Sequence, residues 1–292
     1  MPEAAPSTPP ALPSLALTCL SPILGTDRAR RLVRRGYAIG YLVYFSIRAQ
    51  YARAILGILW AVLTPLLFLA VYVPLFTYVF NVNPNSMGAG ADDTLAFPLY
   101  VVTGFLAWLA FQEGVSNGAG SLVYNLGVVR HSPSPPATLP LVKVVSSFVA
   151  MGIGLAFLLA FLTATGRFPG IRLVLVPVAV VLLFAFTWGL SLLLSSLATQ
   201  IRDVLQMLNT LLLVEFFACP LIYHVDMVPE HLHGYITFNP LTPFLNLLRA
   251  GFLPQQPIAY QDVWLACGWT GLAMLVGVTV FRRLEPSFAD QS

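Results

Sequence analysis

The chain has 292 residues, of which 58% are hydrophobic and only 9% are charged, and its formal net charge is +3. An average soluble domain has about a quarter of its residues charged, and a bilayer penalises an ionised side chain at a helix centre by roughly 2.5 to 3.5 kcal/mol. The composition therefore excludes an ordinary water-soluble protein and predicts an integral membrane protein. The arginines lie beside apolar segments and are not interleaved with exposed aromatic residues, so no nucleic-acid partner is predicted.

The first 26 residues are rich in proline, and no basic stretch precedes their short apolar patch. We interpret 1–26 as a disordered leader. The following segment, 27–53, mixes arginines with apolar residues, which predicts an amphipathic helix lying in the membrane interface; a simple basic anchor is the alternative. The basic residues assigned to this helix, and to lipid head groups, are Arg28, Arg31, Arg34, Arg35, Arg48 and Arg53.

Long apolar runs follow, each near the roughly 20 residues that a helix needs to cross about 30 Å of hydrocarbon. They lack the alternation of membrane-barrel strands, so the predicted fold is an all-α integral membrane protein with a single transmembrane domain over 27–290. We predict about six transmembrane helices, at 56–80, 95–119, 144–165, 173–198, 204–223 and 263–281.

The distribution of basic residues predicts the orientation of these spans, because cytoplasmic flanks retain Lys and Arg. With both termini in the cytoplasm, Arg167, Arg172 and Arg249 are the only basic residues outside. The segment 224–261, between the fifth and sixth spans, is too long for a turn and contains an apolar run after Asn239-Pro240. This pattern predicts a re-entrant or interfacial helix before the last span.

Several kinds of chemistry are missing from the sequence. The single lysine, Lys143, lies between two valines, so the Gly-rich nucleotide-binding loop that ends in Lys-Ser/Thr is absent and the chain does not hydrolyse ATP by itself. No catalytic residue is predicted. A cluster of possible metal ligands in the last outer loop matches no metal-site spacing, so no metal is predicted there; its members are His224, Asp226, Glu230, His231 and His233.

Glu113 and Glu215 fall inside predicted spans, where an ionisable group is costly and functional by default. A proton relay is one interpretation, and a hydrogen-bonded structural acid is the other. Aromatic residues also recur at every fourth position of the first span and near the end of the fifth. They either line a channel or pack against helices and lipid; the channel-lining candidates are Phe68, Tyr72, Phe76, Phe216 and Phe217.

The sequence from Tyr51 to Trp60, followed by Thr64-Pro65-Leu66, resembles the polysaccharide-export permeases of ABC transporters, which include O-antigen, capsule and teichoic-acid exporters. The resemblance continues through Arg202-Asp203 and the segment 216–223, and it covers 27–290 in order. It extends to the second cytoplasmic loop, the outer segment and the C-terminal end, at Asn125, Arg130, His131, Pro135, the triplet Leu139-Pro140-Leu141, Asn239, Pro240, Arg249, the run 281–285 and the run 288–290.

This resemblance implies a homodimer in the bacterial inner membrane that encloses a channel for lipid-linked polysaccharide. Two copies of a separate ATPase, which bind ATP and Mg, would dock below it, so the chain itself needs no cofactor. From the same resemblance we assign ATPase coupling to Arg130, His131, Pro135 and Pro140, and an outer gate to Asn239, Pro240 and Arg249. Rival interpretations are an ABC permease for a small hydrophobic molecule, a proton-coupled carrier that uses Glu113 and Glu215, and a membrane enzyme acting on lipid-linked sugar.

Overall fold

The computed structural model describes residues 36, 40–46, 59–74, 95–125 and 135–288. The chain divides into two compact units, Met1–Gln50 and Tyr51–Ser292. In the first unit, residues 40–46 are helical and expose Tyr41, Tyr44 and Phe45, as expected of an interfacial helix. The six arginines assigned to that helix lie outside the described residues.

The second unit is built from helices, and the described residues contain no strand, which confirms the all-α prediction. Short 3-10 turns flank the helices at Val123–Asn125, Gly170–Val174, Val225–Met227 and Glu285–Phe288. The helices, numbered in chain order, are α1 Trp60–Pro74, α2 Ala96–Gly120, α3 Thr138–Ala164, α4 Leu175–Gln200, α5 Asp203–Ala218, α6 Glu230–Phe238, α7 Thr242–Phe252 and α8 Tyr260–Leu284.

Four of the described segments are long and apolar enough to cross a membrane: Ala96–Gly120, Thr138–Ala164, Gly170–Gln200 and Tyr260–Phe288. They coincide with the second, third, fourth and sixth predicted spans. The described part of α1 has 15 residues and α5 has 16. At 1.5 Å per residue these reach only about 24 Å, so a total of six spans stays a prediction.

Proline positions explain where two helices differ from their predicted bounds. Helix α5 ends at Ala218 because Cys219 precedes Pro220 and has an extended backbone (φ −89°, ψ 149°). Helix α3 begins at Thr138, six residues before the predicted start at 144, and takes in Pro140. A proline in the first turn costs little, since the N–H that it lacks would have no partner within the helix.

Small residues let the central helices approach closely, as is common in membrane proteins. Helix α2 packs against α3, α4, α5 and α7. Gly114 and Gly118 of α2 face α4, where Ser191 Oγ donates a 3.1 Å hydrogen bond to Gly114 O. Helix α8 lies on the other side of α4, with Gly277 directly against the backbone of Gly189.

The antiparallel helices give the second unit two distinct ends. One end collects the C-terminal ends of α2, α4 and α8 and the start of α3, and we call it the basic end because Arg202, Arg282 and Arg283 are exposed there. The opposite end, the α7 end, holds α6, α7 and the loops that precede α4 and α8. There Arg172 Nη1 donates hydrogen bonds to Pro254 O (2.7 Å) and Gln256 O (2.9 Å).

Candidate functional site

The α7 end contains the segment predicted to be re-entrant. Helix α7 is buried along nearly its whole length, and α6 precedes it with one intervening bend. At that bend Asn239 Oδ1 accepts hydrogen bonds from the backbone N–H groups of Leu241 (2.8 Å) and Thr242 (3.4 Å). This arrangement satisfies two amides at the start of α7, next to Pro240. Both segments are helical, whereas a re-entrant or interfacial placement in a membrane stays a prediction.

Arg249 of α7 is the largest fully buried side chain at this end, with 1% of its surface exposed. Its guanidinium donates to Tyr100 O (3.3 Å), to Tyr100 Oη (2.8 Å) and to Leu221 O (3.0 Å), and its Cζ lies 3.5 Å from the centroid of the Tyr100 ring. We call Arg249, Tyr100, Gly104 and Leu221 the Arg249 cluster. It joins α7, α2 and the loop after α5 through one side chain.

Glycine at position 104 makes room for this guanidinium. A Cβ atom there would lie 2.5 Å from Arg249 Nη2, which is closer than non-bonded atoms approach. Tyr100 Oη also donates to Tyr223 O (3.3 Å), so the ring is held from two sides. All the hydrogen-bond acceptors of Arg249 in the described part of the chain are neutral oxygens. A buried cation of this kind depends on every one of its hydrogen bonds.

The sequence identified Arg249 but not its partners. Tyr100 and Gly104 lie one turn apart inside a long apolar helix, and Leu221 contributes only its backbone carbonyl. A carbonyl oxygen has no signature in the sequence. The one available signal was a tyrosine and a glycine at a spacing of four, which places both on the same helix face.

The aromatic residues near the end of α5 are only partly placed as a lining requires. Phe217 is 60% exposed, whereas Phe216 is half-buried and packs edge-on against Trp108 of α2 at 5.5 Å. The two phenylalanines contact each other at 5.1 Å and 90°. Phe76 and the side chains of Phe68 and Tyr72 lie outside what the structure describes. Of the two candidates whose side chains are described, Phe217 is the one with an exposed face.

Glu215 lines a largely apolar pocket of about 460 Å³, which also touches α2, α4 and α8. Its Oε1 atom is buried and has no hydrogen-bond partner among the described residues. Phe111, Phe186 and Trp269 contribute to the walls. Glu113 on α2 is half-buried. Of the two acids, Glu215 is the one that lines this pocket, so the choice between a functional and a structural role can be tested there.

Two of the four predicted ATPase-coupling residues are described, and both lie at the basic end. Pro135 is exposed, Pro140 is buried in the first turn of α3, and Arg130 and His131 lie outside the described residues. Both described ends of this loop belong to one apolar group, the basic-end cluster, in which four residues are buried and five are partly buried. They are Leu122, Leu192, Phe281 and Phe288, with Ala137, Leu139, Trp188, Val278 and Leu284.

The histidines after α5 make local contacts. His224 Nδ1 lies 3.1 Å from Asp226 Oδ2, and His233 Nε2 lies 2.7 Å from Val228 O. Burial lowers the pKa of His224, and the neighbouring Asp226 carboxylate opposes that shift. No group of three or more His, Cys, Asp or Glu residues in the described ranges is arranged to hold a metal ion.

Comparison with known proteins places these features in a family. The family model described as ABC-2 type transporter matches residues 37–253. The chain belongs to this family. The matched range includes Tyr100, Gly104, Leu221 and Arg249, so the whole Arg249 cluster lies inside the ABC-2 region. Helix α8 and Phe288 follow that region.

Curated relatives of this ABC-2 chain are similar along almost its full length. It is 30% identical to the O-antigen export system permease protein RfbA of Myxococcus xanthus over 268 residues, which is 89% of this chain and 98% of the relative. For RfbA of Klebsiella pneumoniae the identity is 25% over 260 residues, 87% and 96% of the two chains. The polysialic acid transport protein KpsM of Escherichia coli is 18% identical over 241 residues, 82% and 90% of the two chains.

Proposed function

We propose that this ABC-2 chain is the channel-forming membrane subunit of an ATP-driven exporter. It moves lipid-linked polysaccharide, O-antigen-like or capsular, from the cytoplasm across the bacterial inner membrane. The observation that carries this proposal is the nearly full-length similarity to permeases whose names specify O-antigen export. The four long apolar helices support a membrane location.

The proposed working assembly is a homodimer with two ATPase subunits and with all termini in the cytoplasm. The ATPase subunits bind ATP and Mg, which supply the energy, since this chain lacks the nucleotide-binding loop. The basic end then faces the cytoplasm, as expected for Arg202, Arg282 and Arg283 under the positive-inside rule. The arginines of 27–53 attract the anionic head of the substrate and membrane lipids.

In this proposal, α2 transmits motion from the ATPase to the outer segment. Its C-terminal end leads into the coupling loop at the basic end, and its first turns hold Arg249 through Tyr100. A helix is stiff along its axis, and the Arg249 cluster ties α2 to α7 by hydrogen bonds and close packing. Displacement of α2 therefore moves α7 and the bend at Asn239 and Pro240, which form the outer gate.

The polymer passes beside exposed aromatic side chains such as Phe217, which offer weak stacking contacts to sugar rings. Weak and repeated contacts suit a repeating chain, since a single tight site would hold the polymer in place. The ring of Phe216 packs between Trp108 and Phe217 and so helps to hold Phe217 in position. The sequence alone adds three further lining candidates to this proposal, Phe68, Tyr72 and Phe76.

Deleting the gene is expected to remove polysaccharide from the cell surface and to leave it inside the cell on its lipid carrier. The measurement is surface labelling of glycan together with extraction of lipid-linked polymer from the cytoplasmic side. Rescue should require both this chain and a hydrolysis-competent ATPase. Normal surface glycan in a strain without a redundant exporter would overturn the proposed function and favour efflux of a small hydrophobic molecule.

A proton-coupled carrier is the second candidate, favoured by the buried Oε1 atom of Glu215, which has no hydrogen-bond partner in the described part of the chain. We expect Glu215→Gln to retain export, because the amide keeps the shape of the side chain and removes only its ability to ionise. Glu113→Gln is the matched control on α2. Surface glycan measured with and without a proton ionophore tests this. Loss of export in a stably folded Glu215→Gln variant, together with ionophore sensitivity of the wild type, would favour the proton carrier.

A further inference from the structure

We propose that the C-terminal turn of this chain positions the ATPase-coupling loop, with Phe288 as the positioning residue. The inference rests on the proposed function, because it assigns a partner surface to the basic end. Phe288 contacts neither substrate nor ATP in this proposal. It acts through the basic-end cluster on the two ends of the loop that meets the ATPase.

The C-terminal turn is held firmly by the helices beside it. Phe288 is 1% exposed, and its ring packs edge-on against Phe281 of α8 at 5.5 Å and 71°. The neighbouring Ser287 accepts a 2.9 Å hydrogen bond at Oγ from Gln200 Nε2 at the end of α4. The C-terminal turn is therefore fixed both by a buried aromatic ring and by a hydrogen bond to the end of α4.

Both described ends of the coupling loop join the cluster that buries Phe288. On the α2 side, Leu122 is fully buried immediately after Ser121, whose Oγ donates to Gly118 O at 2.6 Å. On the α3 side, Ala137 and Leu139 pack against the same cluster. When both ends of a loop pack into one apolar cluster, a force applied to the loop moves α2 and α3 directly, because close-packed side chains transmit strain.

The surface around this anchor also fits an ATPase partner by charge. Arg282 and Arg283 in the last turn of α8 are exposed, as is Arg202 between α4 and α5. They flank the turn that ends at Phe288. The expected partner surface is acidic at the positions that face these arginines, which favours docking in one orientation.

Removing the Phe288 ring leaves a cavity in the basic-end cluster but does not change the sequence of the coupling loop. The loop ends then move when the ATPase closes, and part of the motion no longer reaches α2. We expect ATP hydrolysis to continue while transport falls. The diagnostic quantity is the amount of polymer exported per ATP hydrolysed, which simple destabilisation of the permease does not change.

The experiment compares reconstituted complexes of permease and ATPase that carry wild type, Phe288→Ala, Phe288→Leu or Phe97→Ala. Phe97 is a matched control, because it is 5% exposed and lies at the opposite end of α2. The readouts are polymer exported per ATP and the affinity of the permease for its ATPase. Phe288→Ala should lower both several-fold, and Phe288→Leu should restore most of the loss. Phe97→Ala should lower thermal stability alone.

Gln200→Ala provides a second variant that does not threaten folding, since Gln200 is exposed and its side chain holds the C-terminal turn from outside. It should reduce polymer per ATP in the same direction as Phe288→Ala. If both variants keep the wild-type ratio and affinity, the positioning role is overturned. If the wild-type chain itself neither binds an ATPase nor exports polysaccharide, the proposed function fails, and that result is distinct from a failure of the variants alone.

Discussion

Arg249→Ala is expected to abolish export and to destabilise the second unit by about 3 kcal/mol or more. Three acceptors lose their donor at once, namely Tyr100 O, Tyr100 Oη and Leu221 O. Each buried polar group left without a partner costs about 1 to 3 kcal/mol, and the missing side chain leaves a cavity besides. Arg249→Lys should be only partly better, because one ammonium cannot reproduce the planar fork of the guanidinium.

Gly104→Ala tests the same cluster without removing any charge. The added methyl group would lie 2.5 Å from Arg249 Nη2, so the guanidinium must move away from its acceptors. Gly152→Ala on α3 is the matched control, since no atom lies within 4 Å of its added Cβ. The control should be neutral or slightly stabilising, because alanine favours a helix over glycine by about 1 kcal/mol.

A double-mutant cycle tests whether Gly104→Ala and Arg249→Ala disturb the same contact or cause two independent defects. If Gly104→Ala acts by displacing Arg249, its cost should be much smaller when Arg249 is already alanine. Thermal unfolding of the purified protein and surface glycan in cells are the two measurements. Additive losses would show that Gly104 acts elsewhere, and a stable, exporting Arg249→Ala variant would remove Arg249 from the gate.

Hydropathy predicted much of the fold because a membrane restricts what a chain can do. Four of the predicted spans coincide with long apolar helices, for a bilayer requires backbone hydrogen bonds to close within each segment. Helix ends were predicted less well. The fifth span was extended to 223, but Pro220 stops it at Ala218. The apolar sequence continues past Ala218, but the backbone is no longer helical there.

The candidate site was predictable only in part. The sequence points to Arg249 through its resemblance to the polysaccharide-export permeases. Its partners are a ring, a missing Cβ and two carbonyl oxygens, which are brought together only by tertiary packing. The sequence shows Phe288 only as part of a motif in the run 288–290. Its burial against the coupling-loop ends depends on how α4 and α8 cross, and that crossing cannot be read from one sequence.

That crossing is the basis of the second large effect. Gly277→Val on α8 is expected to separate α4 from α8 and to prevent stable folding. A Cβ at 277 would collide with the carbonyl oxygen of Gly189 and lie only 2.9 Å from its carbonyl carbon. The colliding atoms are backbone, so no side chain can turn aside. Overpacking in a core costs about 1 to 3 kcal/mol when side chains can adjust, and a backbone contact should exceed that range.

The same helix provides the controls for this prediction. Gly268 and Gly271 also lie on α8, and an added Cβ meets nothing within 4 Å at either position. Gly268→Val and Gly271→Val should therefore leave folding intact, although all three variants introduce the same side chain into one helix. Monodispersity and thermal stability in detergent report the difference. Equal behaviour of the three variants would show that α4 and α8 do not rely on the Gly189–Gly277 contact. Loss confined to Gly277→Val would show that α8 depends on this contact to pack against α4.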